Sequence, residues 1–467
     1  MKRIIATSLA TLALAGCMVG PNYRSPAPEA PAQTPFLSAQ SPAFTQDQPP
    51  GRWWSLFADP VLDRLVEQAL SNNTDLRIAA ANLSRARAVL RETRSGLFPS
   101  ATANASATYS RQSGDQLGFQ GVATQGDSYD AGIDASYQID LFGRIRRAIE
   151  ASRADVGAAQ AAFDVSRITV AAETARAYAD ACSSGGQLAV ARESLRIQEE
   201  TYDLTRRLVE GGRGTALETG QAGALLEQVR ATVPTLEAQR QTALFRLSVL
   251  TGRPPADFPR EVAGCESAPA LARPIPIGDG AQLLARRPDV RQAERELAAA
   301  TARVGVATAA LYPTITLGGS IGTSATSLSG LGSSDSFRFS LGPLISWEFT
   351  NLAVGKARIA QAQAGADQTL ANFEGTWLRA LEETESALTR YARELDRREA
   401  LRRGRAQSAD AARVARLRYQ AGRDSFQVVL DAERSLALME AELARSEAQL
   451  SDDLVSLFLA LGGGWQA

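Results

Sequence analysis

The 467-residue sequence contains no histidine, and its only lysines are Lys2 and Lys356, so that arginine supplies almost all of the basic charge. Without histidine, Ser-His-Asp and Cys-His catalysis are excluded, as are metal sites that need imidazole ligands. The formal net charge of -1 gives no electrostatic reason to expect a nucleic-acid partner. We therefore expect no enzymatic activity, no metal, no dissociable cofactor and no nucleic-acid binding.

Cysteine and long apolar runs are also scarce. The three cysteines, Cys17, Cys182 and Cys265, are too few and too scattered to predict a thiolate metal site or a disulfide framework. Cys182 is interpreted as a buried helix residue. After the N-terminal residues, no segment reaches the ~18 uninterrupted apolar residues of a membrane-spanning helix. If the chain crosses a membrane, we expect it to do so with strands.

The N-terminal residues have the pattern of a bacterial lipoprotein signal. Basic Lys2 and Arg3 precede a short apolar run, and Leu14-Ala-Gly-Cys17 follows it. We predict a signal peptide over residues 1–16, covalent lipid on Cys17 and an extended, lipidated tether over residues 17–50. Met18 replaces the aspartate that often retains such proteins at the inner membrane, which favours the outer membrane. The alternative is an ordinary signal peptide with an incidental cysteine.

The rest of the chain contains two copies of one module. Residues 75–77 (Asp-Leu-Arg) and 97–99 (Leu-Phe-Pro) recur as Asp-Val-Arg and Leu-Tyr-Pro at positions 289–291 and 311–313. Gly212-Arg213 and Gly252 recur in the same way as Gly422-Arg423 and Gly462. We therefore divide the chain into a first repeat over residues 51–262 and a second over 263–467, and we expect a pseudo-twofold structure.

Each repeat contains segments in which apolar and polar residues alternate. We predict strands at about 101–110, 128–140, 314–322 and 337–349, with Gly/Ser-rich loops at 111–127 and 323–336. Strands of this length, with aromatic residues on one face, are typical of transmembrane strands. The alternative is a soluble, half-buried sheet. The residues predicted to face lipid are Tyr129, Ile133, Tyr137, Phe337, Phe339 and Trp347.

Each repeat also contains a long helical hairpin. No proline occurs from Gly143 to Gly211 or from Ala353 to Gly422, and apolar residues recur every seven positions in several stretches. This spacing predicts coiled coils, although a plain helical bundle is the alternative. We place the hairpin tips at about 211–215 and 421–425, where glycine ends one helix and Thr215 or Ser425 can cap the next.

Four strands cannot close a barrel, and an open sheet edge cannot face lipid. Several chains must therefore pool their strands if the sheet is in a membrane. Three chains would supply twelve strands and a water-filled lumen, although the strand count itself requires only more than one chain.

A set of short motifs, in order along the duplicated chain, resembles TolC-type outer-membrane efflux channels, in the lipoprotein subfamily that includes OprM and NodT-like proteins. The resemblance covers nearly the whole mature chain. The motifs are Cys17 with Val19-Gly-Pro-Asn-Tyr23, Trp53-Trp54-x-x-Phe57-x-Asp59, Asp75-Leu-Arg, Leu97-Phe-Pro, Asp140-Leu-Phe-Gly143, Arg287-Pro-Asp-Val290, Leu311-Tyr-Pro, Leu430-Asp-Ala-Glu-Arg434 and Leu461-Gly-Gly-Gly-Trp465.

The resemblance implies an α/β membrane protein that assembles as a homotrimer. Each chain would give four strands to a twelve-stranded barrel in the outer membrane of a Gram-negative bacterium, and coiled-coil helices would form a periplasmic tunnel. The implied function is the outer-membrane channel of a tripartite efflux system that exports small molecules. Its partners would be a periplasmic adaptor (membrane-fusion) protein, an inner-membrane pump and outer-membrane lipid.

The resemblance also assigns roles to residues at the hairpin tips. Asp431 matches an aspartate ring at the periplasmic gate, and three such carboxylates on one axis would repel one another and attract cations. Arg418 and Tyr419 match residues that latch the closed tip. Gln427 replaces an apolar constriction residue, a departure from the family pattern. The tip residues assigned to adaptor contact are Gly211, Gly212, Arg213, Gly422 and Arg423.

Three other hypotheses are weighed against this one. The segment Gly318-Gly-Ser-Ile-Gly322 matches the Gly-x-Ser-x-Gly motif around the nucleophilic serine of many hydrolases. No histidine is present to activate Ser320. If the chain were a structural periplasmic coiled-coil lipoprotein, it would have no lipid-facing strands. The alternation of apolar and polar residues argues against this hypothesis. Type I protein secretion systems use the same kind of outer-membrane duct, so the sequence does not distinguish protein secretion from drug efflux.

Overall fold

A computed structural model describes residues 18–26, 35–112, 124–271 and 273–463 of the chain. The predicted signal peptide, the acylation site Cys17, part of the first predicted loop and Trp465 lie outside the described residues. Contacts divide the chain into two units. The strand-bearing unit comprises Met1–Pro26, Asn82–Ala159 and Gln292–Glu374, and the helical unit comprises Ala27–Ala81, Gln160–Arg291 and Gly375–Ala467.

Strands and helices alternate in the same order in both halves of the chain. The strands are β1 (Phe44–Thr45), β2 (Ser100–Gln112), β3 (Thr124–Ile139), β4 (Ile275–Pro276), β5 (Thr314–Ala325) and β6 (Phe337–Ser346). The helices are α1 (Pro60–Asn72), α2 (Thr74–Ser95), α3 (Arg144–Glu210), α4 (Ala216–Arg230), α5 (Thr232–Leu250), α6 (Gly280–Arg286), α7 (Pro288–Ala309), α8 (Leu352–Gln420) and α9 (Phe426–Ala460).

The element boundaries confirm the duplication. Helices α2 and α7 are offset by 214 residues at both ends, and so are the starts of β2 and β5. The two compact units nevertheless cut across both repeats, because strands of the two repeats pair with each other. The division of the sequence at residue 262 therefore describes its internal symmetry rather than its packing.

The strand-bearing unit contains a four-stranded antiparallel sheet in the order β2-β3-β5-β6. Directly paired residues lie on one face of a sheet, so the register shows which side chains share a face. Ala103, Ile133, Ile321 and Phe339 form one apolar row across the four strands. The next row, Thr102, Asp134, Ser320 and Ser340, is polar. The predicted alternation is therefore confirmed across the whole sheet.

Five of the six residues predicted to face lipid share the apolar face: Tyr129, Ile133, Tyr137, Phe337 and Phe339. Trp347 does not belong to a strand, because β6 ends at Ser346, three residues earlier than predicted. Ser346 pairs with Thr314, and the next residue of the partner strand is Pro313, which has no N–H for the ladder. The Trp347 indole N–H instead donates to the Leu311 carbonyl at 3.0 Å.

The long helices α3 and α8 match the predicted proline-free segments. The partner arm of the first hairpin differs from the prediction, because it is divided into α4 and α5 at Ala231. Pro234 explains the break, since a proline ring clashes with the carbonyl four residues earlier, here that of Arg230. The corresponding arm of the second hairpin, α9, has no proline and is continuous over 35 residues.

Among the described residues, no helix combines the length and the apolar character needed to cross a membrane.

The core of the helical unit forms around the tryptophan motif. Trp53 is fully buried and stacks on Phe458, with ring centroids 4.7 Å apart. Asp59 caps α1 by accepting from the Val61 and Leu62 amides, and its other carboxylate oxygen accepts from the Tyr178 hydroxyl at 2.7 Å. These residues therefore hold α1 against α3 and the end of α9.

A disulfide joins Cys182 of α3 to Cys265 of the segment that connects the two repeats, with a Cα–Cα distance of 4.7 Å. The expectation that the cysteines are too scattered to form a disulfide is wrong, because the fold brings together residues 83 positions apart. Gly185 and Gly186 make this approach possible. A Cβ added to them would lie 2.0 Å from the Cys265 carbonyl oxygen and 2.5 Å from that of Glu266, respectively.

We expect this bond to stabilise the helical unit by about 2–5 kcal/mol, because it closes a long loop that includes the first hairpin. Cys265→Ser should therefore lower the thermal unfolding temperature of the helical unit, and reductant should then have no further effect. The measurement is thermal unfolding with and without dithiothreitol. Equal unfolding temperatures for the wild type in both buffers, with reduction verified by thiol titration, would contradict this expectation.

Candidate functional site at the helical tips

The two hairpin tips have the same backbone conformation. Gly212 and Gly422 adopt φ values of +69° and +68°, a backbone region that residues with a Cβ rarely adopt. The Arg213 amide donates to the Leu208 carbonyl at 2.8 Å, and the Arg423 amide donates to the Arg418 carbonyl at 2.9 Å. These bonds complete a Schellman motif at the end of each first arm. A Cβ at either glycine would meet no neighbouring atom, so backbone conformation rather than crowding requires glycine.

The helices that follow the tips begin differently. Thr215 caps α4 in a full capping box, in which its hydroxyl accepts from the Glu218 amide and the Glu218 carboxylate accepts from the Thr215 amide. Ser425 occupies the corresponding position before α9, but its side chain makes no capping hydrogen bond, contrary to our expectation. A different interaction closes the second tip, since Arg418 donates to both carboxylate oxygens of Asp424 at 2.6 and 2.9 Å.

The predicted latch residue Arg418 thus pairs within its own tip. The hydrogen bonds from its guanidinium lower the pKa of the Asp424 carboxyl below its usual range. The Arg418 side chain is exposed and that of Asp424 is half-buried, and a pair with one exposed partner contributes little to stability. Tyr419, the other predicted latch residue, packs against Phe426 with ring centroids 5.6 Å apart. In this chain, Arg418 and Tyr419 organise the second tip.

The predicted gate residues lie one turn apart on the exposed face of α9. The Gln427 side-chain amide donates to a carboxylate oxygen of Asp431 at 3.1 Å. Gln427 therefore orients the carboxylate and offers a polar surface at this position of α9. The exposed apolar side chain next to it is that of Val428.

An apolar cluster under the tips joins the two hairpins. Phe426, only 1% exposed, is its centre, and its other buried members are Ala222, Leu225, Val229, Ala415, Val429 and Leu430. These residues belong to α4, α8 and α9, so packing at this level ties the second hairpin to the first. The exposed Asp431 therefore lies on a helix whose opposite face is fixed.

Sequence reasoning missed the buried carboxylate two residues after Asp431. Glu433 is 2% exposed, and the Thr201 hydroxyl of α3 contacts its two carboxylate oxygens at 3.2 and 3.1 Å. Arg416 of α8 approaches the same carboxylate to 3.4 Å. Burial raises the pKa of Glu433, while Arg416, Thr201 and Gln198 act in the opposite direction. A buried charged group needs such partners, so Glu433 links three helices across the two hairpins.

A second buried carboxylate makes a contact of the same kind within one hairpin. The Ser446 hydroxyl of α9 donates to Glu394 of α8, and Arg397 pairs with Glu394 at 3.2 Å. This pair joins the two arms of the second hairpin and does not involve α3. It therefore provides a matched control for the link between hairpins.

We expect Thr201→Val to weaken the contact between hairpins by about 1–3 kcal/mol, since it removes a hydrogen bond to a buried carboxylate without changing the side-chain shape. Hydrogen exchange of amides in α3 and α9 near these residues should become faster. Thr201→Ser should remain close to wild type, and Ser446→Ala should leave exchange in α3 unchanged. If Thr201→Val and Ser446→Ala had the same effect on α3, the link between hairpins would not be specific.

The chain matches a family described as outer membrane efflux protein over residues 65–253 and 280–463. It is 33% identical to the outer membrane protein OprJ of Pseudomonas aeruginosa, in an alignment that covers 99% of this chain and 96% of OprJ. It is 31% identical to the toluene efflux pump outer membrane protein TtgC of Pseudomonas putida, over 99% of this chain and 96% of TtgC.

Solved structures show the same fold. The outer-membrane channel OprN superimposes with a TM-score of 0.91 and 38% sequence identity, and the match covers 97% of this chain and 100% of the OprN chain.

Proposed function

The chain belongs to the outer membrane efflux protein family and is an outer-membrane efflux channel; we propose that three copies of it form a duct, gated at the helical tips, that exports small molecules. The family is one of membrane channels and not a known enzyme family. The alternative of a purely structural coiled-coil lipoprotein is wrong, because it predicted no strands of the kind that form the sheet.

The sheet supports assembly from several chains. Its outer strands, β2 and β6, each pair with one strand only among the described residues. In a membrane the free edges must be paired, because lipid offers no hydrogen bonds to the backbone. Three chains with four strands each give the twelve-stranded wall that the family resemblance implies. The apolar row through Ile133 and Phe339 then faces lipid, and the polar row through Asp134 and Ser340 faces the lumen.

The tips support a gate. In a trimer, three copies of Asp431 meet around one axis, and their mutual repulsion is offset by cations or by the Gln427 amides. The Glu433–Thr201 contact determines how readily the second hairpin separates from the first, since it lies between them. Opening then requires the loss of this buried contact and of the apolar contacts around Phe426.

The partners follow from the same arrangement. The turns formed by Gly211, Gly212, Arg213, Gly422 and Arg423 are exposed at the ends of both hairpins, where a periplasmic adaptor protein can contact backbone and arginine side chains. We infer from the family resemblance that an inner-membrane pump supplies the energy. The lipid on Cys17 anchors the duct in the outer membrane. Export of small organic molecules is supported by the relative TtgC, the outer membrane protein of a toluene efflux pump.

The gate is proposed from one observation: Asp431 is exposed on α9, and the opposite face of this helix is packed in the apolar cluster around Phe426. Asp431→Ala should increase the single-channel conductance of the purified protein in a planar bilayer and reduce its preference for cations. The wild type should show small or rare openings. The control is Asp410→Ala, which removes an exposed carboxylate on α8 that pairs with Arg413 in its own helix. Unchanged conductance and selectivity in Asp431→Ala would rule out its role as the gate.

A further inference from the structure

The first described residues are not a free tether. The segment over residues 18–25, which we call the N-terminal peptide, lies against the start of α3 and along α7. The Val19 amide donates to the Phe142 carbonyl at 3.3 Å. The Tyr23 and Ser25 hydroxyls both donate to a carboxylate oxygen of Glu294 at 3.0 Å. The beginning of the tether predicted over residues 17–50 is therefore bound to the strand-bearing unit.

Arg147 is the centre of this binding site. It is 1% exposed, and its guanidinium donates to the Val19 carbonyl at 3.1 Å, the Gly20 carbonyl at 3.2 Å and the Asn22 side-chain oxygen at 2.7 Å. Its remaining partner, the Glu150 carboxylate at 2.8 Å, balances the charge. A cation in the first turns of a helix is opposed by the helix dipole. The position of Arg147 is thus explained by the peptide it binds and not by the helix.

Three glycines on three segments make room for the peptide. Gly20 has a φ of +87°, and a Cβ there would lie 2.5 Å from the Gly305 Cα. A Cβ on Gly305 of α7 would lie 2.8 Å from the Arg147 side chain. Gly143 has a φ of +79°, and a Cβ there would lie 2.8 Å from the Met18 side chain. The site is therefore shaped to the backbone of the peptide.

We propose that this site binds the chain's own lipid-modified N terminus, and that it fixes the place where the acyl chains enter the bilayer. Met18 contacts Gly143, which follows the end of β3 by four residues. The predicted acylation site is the residue before Met18, so a docked peptide holds the anchor beside the end of the sheet. An undocked peptide of eight residues could extend over about 27 Å. Docking thus makes the lipid a fixed part of the folded channel.

This proposal rests on acylation of Cys17 but is independent of the gate. The test uses Gly305→Ala, which fills the site with one methyl group and removes no charge. The control is Gly365→Ala, another glycine in a helix of the same unit, where an added Cβ meets no neighbouring atom. Arg24 is exposed, but its neighbours Tyr23 and Ser25 are hydrogen-bonded to Glu294, so trypsin should cleave after Arg24 faster when the peptide leaves its site. Full-length acylated protein in lipid vesicles is digested, and the released lipopeptide is followed by mass spectrometry.

We expect Gly305→Ala to be cleaved about tenfold faster than wild type, which corresponds to ~1.4 kcal/mol in the docking equilibrium. Arg147→Gln should behave in the same way, and Gly365→Ala should match the wild type. Equal cleavage of Gly305→Ala and Gly365→Ala would overturn the docking site. Channel conductance of Gly305→Ala should be that of wild type, so loss of docking is distinguishable from failure of the duct.

A second measurement tests whether acylation of Cys17 stabilises the oligomer only when the N-terminal peptide is docked. Each protein is compared with its Cys17→Ser form, exported with an ordinary signal peptide, and the temperature at which its oligomer dissociates is recorded. Acylation should raise this temperature in wild type and Gly365→Ala, and much less in Gly305→Ala. An equal rise in all three would show that the anchor acts independently of the docked peptide, and the proposal would be wrong.

Discussion

The free backbone edges of one four-stranded sheet determine how this protein must be built. Strands β2 and β6 expose N–H and C=O groups that pair with no other strand among the described residues. Such edges are unstable in lipid and prone to association in water. The apolar row through Ile133 and Phe339 makes an aqueous environment unfavourable for that face as well. Both difficulties are resolved together when copies of the chain join edge to edge in a membrane, and the duct is the consequence of that closure.

The two repeats have the same backbone conformation at their tips but carry different side chains there. Their tips end in the same Schellman motif at Gly212 and Gly422. Asp431 and Glu433, the two carboxylates of the proposed gate, belong to the second hairpin, where Asp431 is exposed and Glu433 is buried. The position 210 residues before Glu433 is Gly223, which instead gives room to the ring of Tyr202. The contact between Glu433 and Thr201 therefore has no symmetric counterpart at Gly223, so the pseudo-symmetry of the fold is broken at the place where the channel is proposed to open.

Local patterns in the sequence predicted the strands, the long helices and the tip glycines, because period-two alternation, proline-free heptads and repeated Gly-Arg pairs are each encoded within a few residues.

The features that the sequence did not predict have physical reasons. The partner of Cys182 lies 83 residues away, and only the fold joins them, although the pair Gly185-Gly186 was a signal of close backbone approach. Pro234 signalled the break in the first hairpin. Glu433 resembles any charged helix residue in sequence, and its burial depends on packing between hairpins. Residues 18–25 lack periodicity, and their binding depends on Arg147 and Glu294.

Cross-linking between the two edge strands measures whether copies of the chain join edge to edge. Cysteines placed at Ala105 of β2 and Leu341 of β6, in the middle of each edge strand, are treated with a short bifunctional thiol reagent after extraction in mild detergent. If three copies close one wall, the covalent products end at three chains under denaturing conditions, while either single-cysteine variant gives no trimer. Because β2 and β6 are the two outer strands of the same sheet, a reaction confined to one chain, or products that stop at two chains, would contradict closure by three copies.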